Sequence, residues 1–293
     1  MVCGVLLLAG CGVSGGEPGT SRGGDERQVI LITGSTSGLG RAVALDLASP
    51  EVHVIVHGRD EQRGREVVRE IEAAGGSASL HLADFASLDE VRALAEAIRS
   101  QYDRLDVLVN NAGVWLRPED GRRTSRDGHE FHFQVNYLAH FLLTHLLLDR
   151  LVDSAPARIV NVASAAQRAI DFDNVMLESG YSDGRAYAQS KLAQVLMTMD
   201  LAEQLADTGV VVAALHPATL MDTAMVLERG ARARSSVQEG AQAVMNLVTG
   251  DDVPSGAYYN GLEPVRANAQ AYDEQARRRL RELSAELTGL SRD

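Results

Sequence analysis

The stretch 29-VILITGSTSGLGRAVALDLA-48 decides how the rest of the chain reads. It opens on an apolar, β-branched run, the mark of a strand buried on both faces. It closes on apolar positions at helical spacing. Between them lies the turn Gly34, Ser35, Thr36, Ser37, Gly38, Leu39, Gly40. Glycine there permits positive φ and close backbone approach. A helix starting at such a turn aims free N–H groups outward, where a pyrophosphate fits. Alone, the turn reads equally as a tight connection. Its place after the first strand of an alternating pattern favours a nucleotide.

The alternation continues outward. Apolar runs recur at 52-VHVIVHG-58, 79-SLHLA-83, 105-LDVLVNN-111, 157-ARIVNVAS-164, 209-GVVVAALHP-217 and 257-AYYNG-261. Helical patterns separate most of them. Right-handed crossovers between such runs give one α/β domain over 28–293, a doubly wound parallel sheet of about seven strands. The spacing predicts two long central helices, near 124–152 and 182–208. A closing helix is predicted in 269-AQAYDEQARRRLRELSAELTGL-290.

The net charge of −12 argues against nucleic acid or an anionic membrane as partner. Both cysteines, Cys3 and Cys11, fall in the first eleven residues, so the body has no disulfide and no thiolate metal site. The segment 8-LAGC-11 resembles a lipoprotein cleavage box, yet no Lys or Arg precedes it and its apolar run is short. Residues 1–27 are expected to be a disordered tail or the product of a misassigned start. The expected location is cytoplasmic, with lipid anchoring through Cys11 as the alternative.

In 56-VHGRD-60, Gly58 stands where an acid would accept the ribose 2′-OH of NAD. Arg59 follows, and a guanidinium suits a 2′-phosphate, so NADP is favoured over NAD. Arg59 reads alternatively as one surface arginine among 27. Asp84, in 82-LADF-85, can accept from an adenine amino group or cap the next turn.

The motif 187-YAQSK-191 holds the only lysine of the chain. Residues four apart share a helix face, so Tyr187 and Lys191 point together. A nearby ammonium favours tyrosinate over phenol, and a tuned phenol can give a proton to a carbonyl oxygen. Lysine, unlike arginine, can also release a proton. Ser164, at the carboxyl edge of the fifth run, can hydrogen-bond a substrate oxygen as charge develops.

Taken in order, 33-TGSTSGLG-40, 110-NNAG-113, 135-VNYLAHFLLTHLL-147, 159-IVNVAS-164 and YAQSK resemble the short-chain dehydrogenase/reductase family, from about Val29 to Leu290. The segments 186-AYAQSKLAQVLMTMDLAEQL-205 and 215-LHPATLMDT-223 are similar to its retinol-dehydrogenase-like branch, as is the long spacing of 23 residues from Ser164 to Tyr187. Ala218 departs from the family's usual Gly after Pro217. The resemblance implies a Rossmann-type fold and an NADP-dependent oxidoreductase acting on a small carbonyl or alcohol. It implies Asn136, Ser164, Tyr187 and Lys191 as catalytic residues, Asn136 helping to hold a water between Lys191 and solvent. Cofactor contacts are implied for the turn Gly34–Gly40 and for Arg59, Asp84 and Phe85. Further contacts are implied for Asn110, Ala112, Gly113, Tyr187, Lys191, Pro217 and Leu220.

His129, His132, His140 and His145 could suggest a metal, but no acidic or cysteine cluster accompanies them, and packing or surface roles are preferred. Trp115 is expected beside the substrate, in a pocket shaped by the insertion after Ser164 and by residues 218–235. A homo-oligomer pairing through the two central helices is expected, because they are apolar on more than one face. Two other functions stay open. One is a non-catalytic NADP-binding regulator, which should have lost Tyr187 or Lys191. The other is a C=C reductase of the protochlorophyllide type, disfavoured by the cysteine-free body.

Overall fold

The computed structural model describes Met1 and residues 27–290. The tail, Cys3 and Cys11 readings therefore lie outside the described residues. Each apolar run forms a strand: β1 (Gln28–Ile32), β2 (Val52–Gly58), β3 (Ser77–Leu82), β4 (Val107–Asn110), β5 (Ala157–Val162), β6 (Val210–His216) and β7 (Tyr258–Asn260). These seven pair parallel. An eighth strand, β8 (Glu263–Pro264), adds an antiparallel edge. Its Pro264 lacks an N–H and suits an edge. The sheet order is β3-β2-β1-β4-β5-β6-β7-β8. The order reverses between β1 and β4, and a crevice opens there beyond the strand carboxyl ends.

Helices cover both faces. On one side α1 (Gly38–Asp46), α2 (Glu61–Ala73) and α9 (Val237–Thr249) bury Val43, Ile71 and Leu247 against β1, β2 and β6. On the other, α3 (Leu88–Gln101), α5 (Ala139–Leu146), α7 (Asp183–Gln204) and α10 (Glu274–Thr288) share the larger core. The short α8 (Ala224–Leu227) follows β6.

The first central helix differs from the expectation. Residues 124–130 form a loop closed by a bridge between Thr124 and Glu130. Helical backbone starts at α4 (Phe131–Phe133), widens into a π turn over Gln134–Leu138, and continues through α5 and α6 (Leu148–Asp153). Asn136 sits inside that π turn, a local widening often found at functional sites. The second central helix starts as expected, its N-cap Ser182 accepting from the Arg185 N–H.

The closing helix changes the reading of both central helices. α7 is buried without interruption from Ala188 to Leu201. α10 supplies part of the cover. Ser284 hydrogen-bonds the Tyr137 hydroxyl at 2.7 Å, and Arg281 reaches Asp200 at 2.6 Å. α10 thus covers part of the apolar surface on which pairing was expected. Among the described residues, no helix is long and apolar enough to cross a membrane.

Candidate active site

At the nucleotide end, the turn is built from the backbone. Gly34 has φ +65, and a Cβ there would lie 2.8 Å from the Ala112 Cα. Only glycine meets both demands. The N-cap of α1, Ser37, makes no side-chain bond to the helix start. Gly38, Leu39 and Gly40 line the cleft at that terminus, which suits an anion. His57 clamps the turn from behind. Its Nδ1 accepts the Gly34 N–H at 3.1 Å, and its Nε2 donates to the Ala83 carbonyl at 3.2 Å. Phe85 stacks on its ring at 4.6 Å. Burial lowers the His57 pKa to about 4, so the imidazole is neutral and can accept.

Gly58 is fixed by contact. A Cβ at that position would lie 2.5 Å from the Thr36 Cγ2, so an acidic side chain needs Thr36 to move. Arg59 is exposed beside it and lines the cleft, together with Arg63 of α2. Asp84 also lines this end, but its Oδ1 accepts the Ala86 N–H at 3.0 Å. Oδ1 thus meets the turn-capping reading of Asp84.

At the chemical end, Ser164 lies two residues beyond β5, and its Oγ accepts the Ala166 N–H at 3.1 Å. Tyr187 projects from the first turns of α7, near enough to Ser164 for that hydroxyl to act on its phenol. Lys191, one turn on, is buried. Its Nζ donates to the Val162 carbonyl at 2.8 Å and to Gln194 Oε1 at 2.9 Å. Nζ is 5.9 Å from the Tyr187 ring centre. Burial draws the Lys191 pKa down to about 7. Burial also pushes Tyr187 up, while Ser164 and Arg229 pull it down.

One cleft of about 710 Å³ joins the two ends. It takes in Thr36, Ser37, Ala112, Gly113, Pro217 and Leu220 besides the residues above. Trp115, Met225 and Val226 make its far end apolar. Three expected residues lie behind its wall. Ser35 turns inward, donating to the Ile32 carbonyl at 2.8 Å. Asn110 ties β4 to its neighbours through Asn161 at 2.8 Å and Thr144 at 3.0 Å. The Asn136 side chain accepts the Val114 N–H at 2.7 Å and donates to Val114 O and Ser190 Oγ, both at 3.0 Å. It therefore positions the segment leading to Trp115.

A family model for short chain dehydrogenases matches residues 28–234. The chain belongs to that family. Retinol dehydrogenase 11 of Homo sapiens is 35% identical over 280 residues, covering 91% of this chain and 87% of its own. Retinol dehydrogenase 13 of Homo sapiens is 36% identical over 285 residues, covering 90% and 85%. These relatives place this oxidoreductase in the retinol-dehydrogenase-like branch. Actinorhodin polyketide ketoreductase, in a crystal structure with NADPH, superimposes with a TM-score of 0.66 at 26% identity, covering 80% of this chain and 96% of that one.

Within this dehydrogenase, the segment after β6 lines the cleft as far as Val226, whereas the insertion after Ser164 contributes only Ala165 and Ala166. Ala218, at the position of the family's Gly, lines the cleft, and Leu220 nearby holds φ +50. Sequence reading missed Asn111, whose Nδ2 binds the carbonyls of Thr33 (2.8 Å) and Gly34 (3.1 Å). It missed Arg63 and the clamp at His57 as well. The four histidines all bond within the protein: His129 to Leu287 O, His132 to Glu130, His140 to Asn136 O and His145 to Phe141 O.

Proposed function

We propose that the protein interconverts a carbonyl compound and its alcohol using NADP(H), with Tyr187 as the acid and base. The observation that carries this reading is the meeting of Ser164, Tyr187 and Lys191 where the cleft passes from the glycine turn to its apolar end. When bound, the nicotinamide cofactor supplies a hydride to the carbonyl carbon or takes one back from the alcohol. Tyr187 gives its phenolic proton to the carbonyl oxygen as the C–O bond loses its π character. Ser164 donates to the same oxygen and shares the developing charge. Lys191, its pKa near neutrality, is suited to return the proton. A regulator without catalysis would have no need of all three groups.

The glycine turn and uncapped α1 terminus fit a pyrophosphate, and Arg59 with Arg63 fits a 2′-phosphate. Thr36 occupies the space an NAD-type acid at position 58 would need. The apolar far end fits an apolar aldehyde or alcohol, the class to which the retinol of the relatives' names belongs.

The test is single-turnover hydride transfer with NADPH and NADH against a panel of apolar aldehydes, beside direct cofactor titration. Tyr187→Phe should abolish transfer and keep NADPH binding. Arg59→Ala should weaken NADPH by about 1–3 kcal/mol and leave NADH nearly unchanged. Equal losses for both cofactors would overturn the NADP assignment. Undiminished transfer by Tyr187→Phe would overturn the mechanism.

A further inference from the structure

Lys191 is not the only cation near Tyr187. Trp115 stacks on the Tyr187 ring, with centroids 5.1 Å apart and planes 28° apart. The Arg229 guanidinium lies on Trp115, Cζ 3.9 Å from its centroid. Taken end to end, these spacings put the guanidinium carbon within about 9 Å of the Tyr187 ring centre. Arg229 is anchored to the same helix that carries Tyr187. Its Nη2 donates to Asp183 Oδ2 at 2.6 Å, in the first turn of α7. The pair is mostly buried, at 10% and 19% side-chain exposure. Among the described residues, Arg229 Nη1 is buried without a hydrogen-bond partner.

We infer that Arg229 is a positioning residue for the reaction, acting through Trp115 to hold the Tyr187 ring and to set a second positive charge over it. This rests on the proposed role of Tyr187 as acid and base.

A cation over an indole face is held by the ring quadrupole as well as by Asp183. Burial weakens screening, so a charge at this distance still acts on the phenol. Lys191 is itself discharged near neutrality by burial, which leaves the always-charged guanidinium as the steadier influence. The other groups facing Tyr187 compete with it or are accounted for. Ser164 draws its pKa down, His132 meets its ring edge-on at 6.4 Å while bonded to Glu130, and Tyr258 bonds the Ser164 carbonyl at 2.9 Å. Asp183 opposes Arg229 in charge. The segment that brings Arg229 also lines the apolar end of the cleft, so seating that segment and tuning the phenol become one event.

The experiment uses Arg229→Met, Arg229→Lys and Asp183→Asn in the full chain, with Tyr187→Phe as reference. Near-ultraviolet titration of tyrosinate, taken as the difference from Tyr187→Phe, gives the Tyr187 midpoint without any substrate. The pH profile of single-turnover alcohol oxidation gives it with substrate. Arg229→Met should raise the midpoint by about one pH unit in both. Arg229→Lys should recover most of that shift. Asp183→Asn, which removes the opposing carboxylate, should lower the midpoint, and it keeps the question decidable if Arg229→Met does not fold. An unmoved midpoint in Arg229→Met, or Lys and Met variants that behave alike, overturns the role and leaves Arg229 a structural stack. Absence of turnover in the wild type overturns the oxidoreductase reading instead, and the titration then decides Arg229 by itself.

Discussion

The two ends of the cleft are held together differently. At the nucleotide end, the critical features are backbone features: the positive φ of Gly34, the uncapped start of α1, the missing Cβ of Gly58. They lie within short stretches of chain. At the chemical end, Ser164, Tyr187, Trp115 and Arg229 come from four separate segments and meet only through packing. A local motif can specify the first arrangement. The second requires the whole sheet and the segment after β6 to be in place.

This contrast predicts where substitutions act. The largest effect belongs to Lys191→Arg. The charge survives, but arginine is larger, planar and too weak an acid to pass a proton at neutral pH. Nζ is also gripped by Val162 O and Gln194 in a buried slot that a guanidinium does not fit. Single-turnover hydride transfer should fall roughly 10²–10⁴-fold, with NADPH binding reduced far less. A variant within threefold of wild type would mean that Lys191 serves only as a positive charge, and the chemical end would be simpler than its geometry suggests.

The next effect belongs to the nucleotide end and is read in stability. His57 has an ordinary pKa of 6.5 when unfolded and about 4 when folded, the shift caused chiefly by burial. Between these values the unfolded chain binds the proton more readily, so stability is full above pH 6.5 and is lost as pH falls toward 4. The loss amounts to roughly 3 kcal/mol. Protonation also removes the acceptor of the Gly34 N–H, so cofactor affinity should weaken over the same window. Urea unfolding at stepped pH should show a shallower acid slope in His57→Leu than in wild type. Parallel slopes would detach His57 from the turn. His140, lowered to about 3 by burial beside Thr33, adds a loss of the same sign that begins in the same window and continues to lower pH.

The same contrast explains what could be read from the chain alone. The alternating β-branched runs gave away seven strands and their order of use, because a parallel strand buried on both faces leaves little freedom in composition. TGSTSGLG and YAQSK were legible because each is a contiguous stretch with one geometry. Asn110 and Asn111 could not be told apart, since only the register of β4 decides which amide faces the sheet and which reaches Thr33 and Gly34. The π turn at Gln134–Leu138 left no periodic signature, as one extra residue in a helix barely disturbs a 3.6-residue pattern. Arg229 was one arginine among 27, and nothing near it in the chain announces Trp115. The cover over α7 was hidden for another reason. Apolar residues on every face of a helix show that it is buried, and they do not show whether the cover is a second chain or the end of its own.

The smallest effect compares two positive-φ positions, one at each end. Gly34, at φ +65, has the Ala112 Cα in the way of any side chain. Leu220, at φ +50, has the same backbone region but bears a side chain, and it lines the cleft. Left-handed backbone costs a non-glycine residue about 1–2 kcal/mol. Leu220→Gly removes that strain, yet glycine also gains freedom in the unfolded chain worth about 0.4–1 kcal/mol. The two nearly cancel, and the melting temperature should move by only a few degrees, roughly what 1 kcal/mol produces in a domain of this size. Function should respond more than stability. The Leu220 carbonyl accepts the Arg234 N–H at 2.9 Å and so helps to seat the segment that carries Arg229. A freer residue there should raise KM for an apolar aldehyde with kcat less changed, because the segment lining the apolar end would be less firmly seated. A collapse in melting temperature would show that the Leu220 side chain packs as core, and the strain would then be secondary to its burial. An unchanged KM would show that the segment is seated by Arg229 and Asp183 alone.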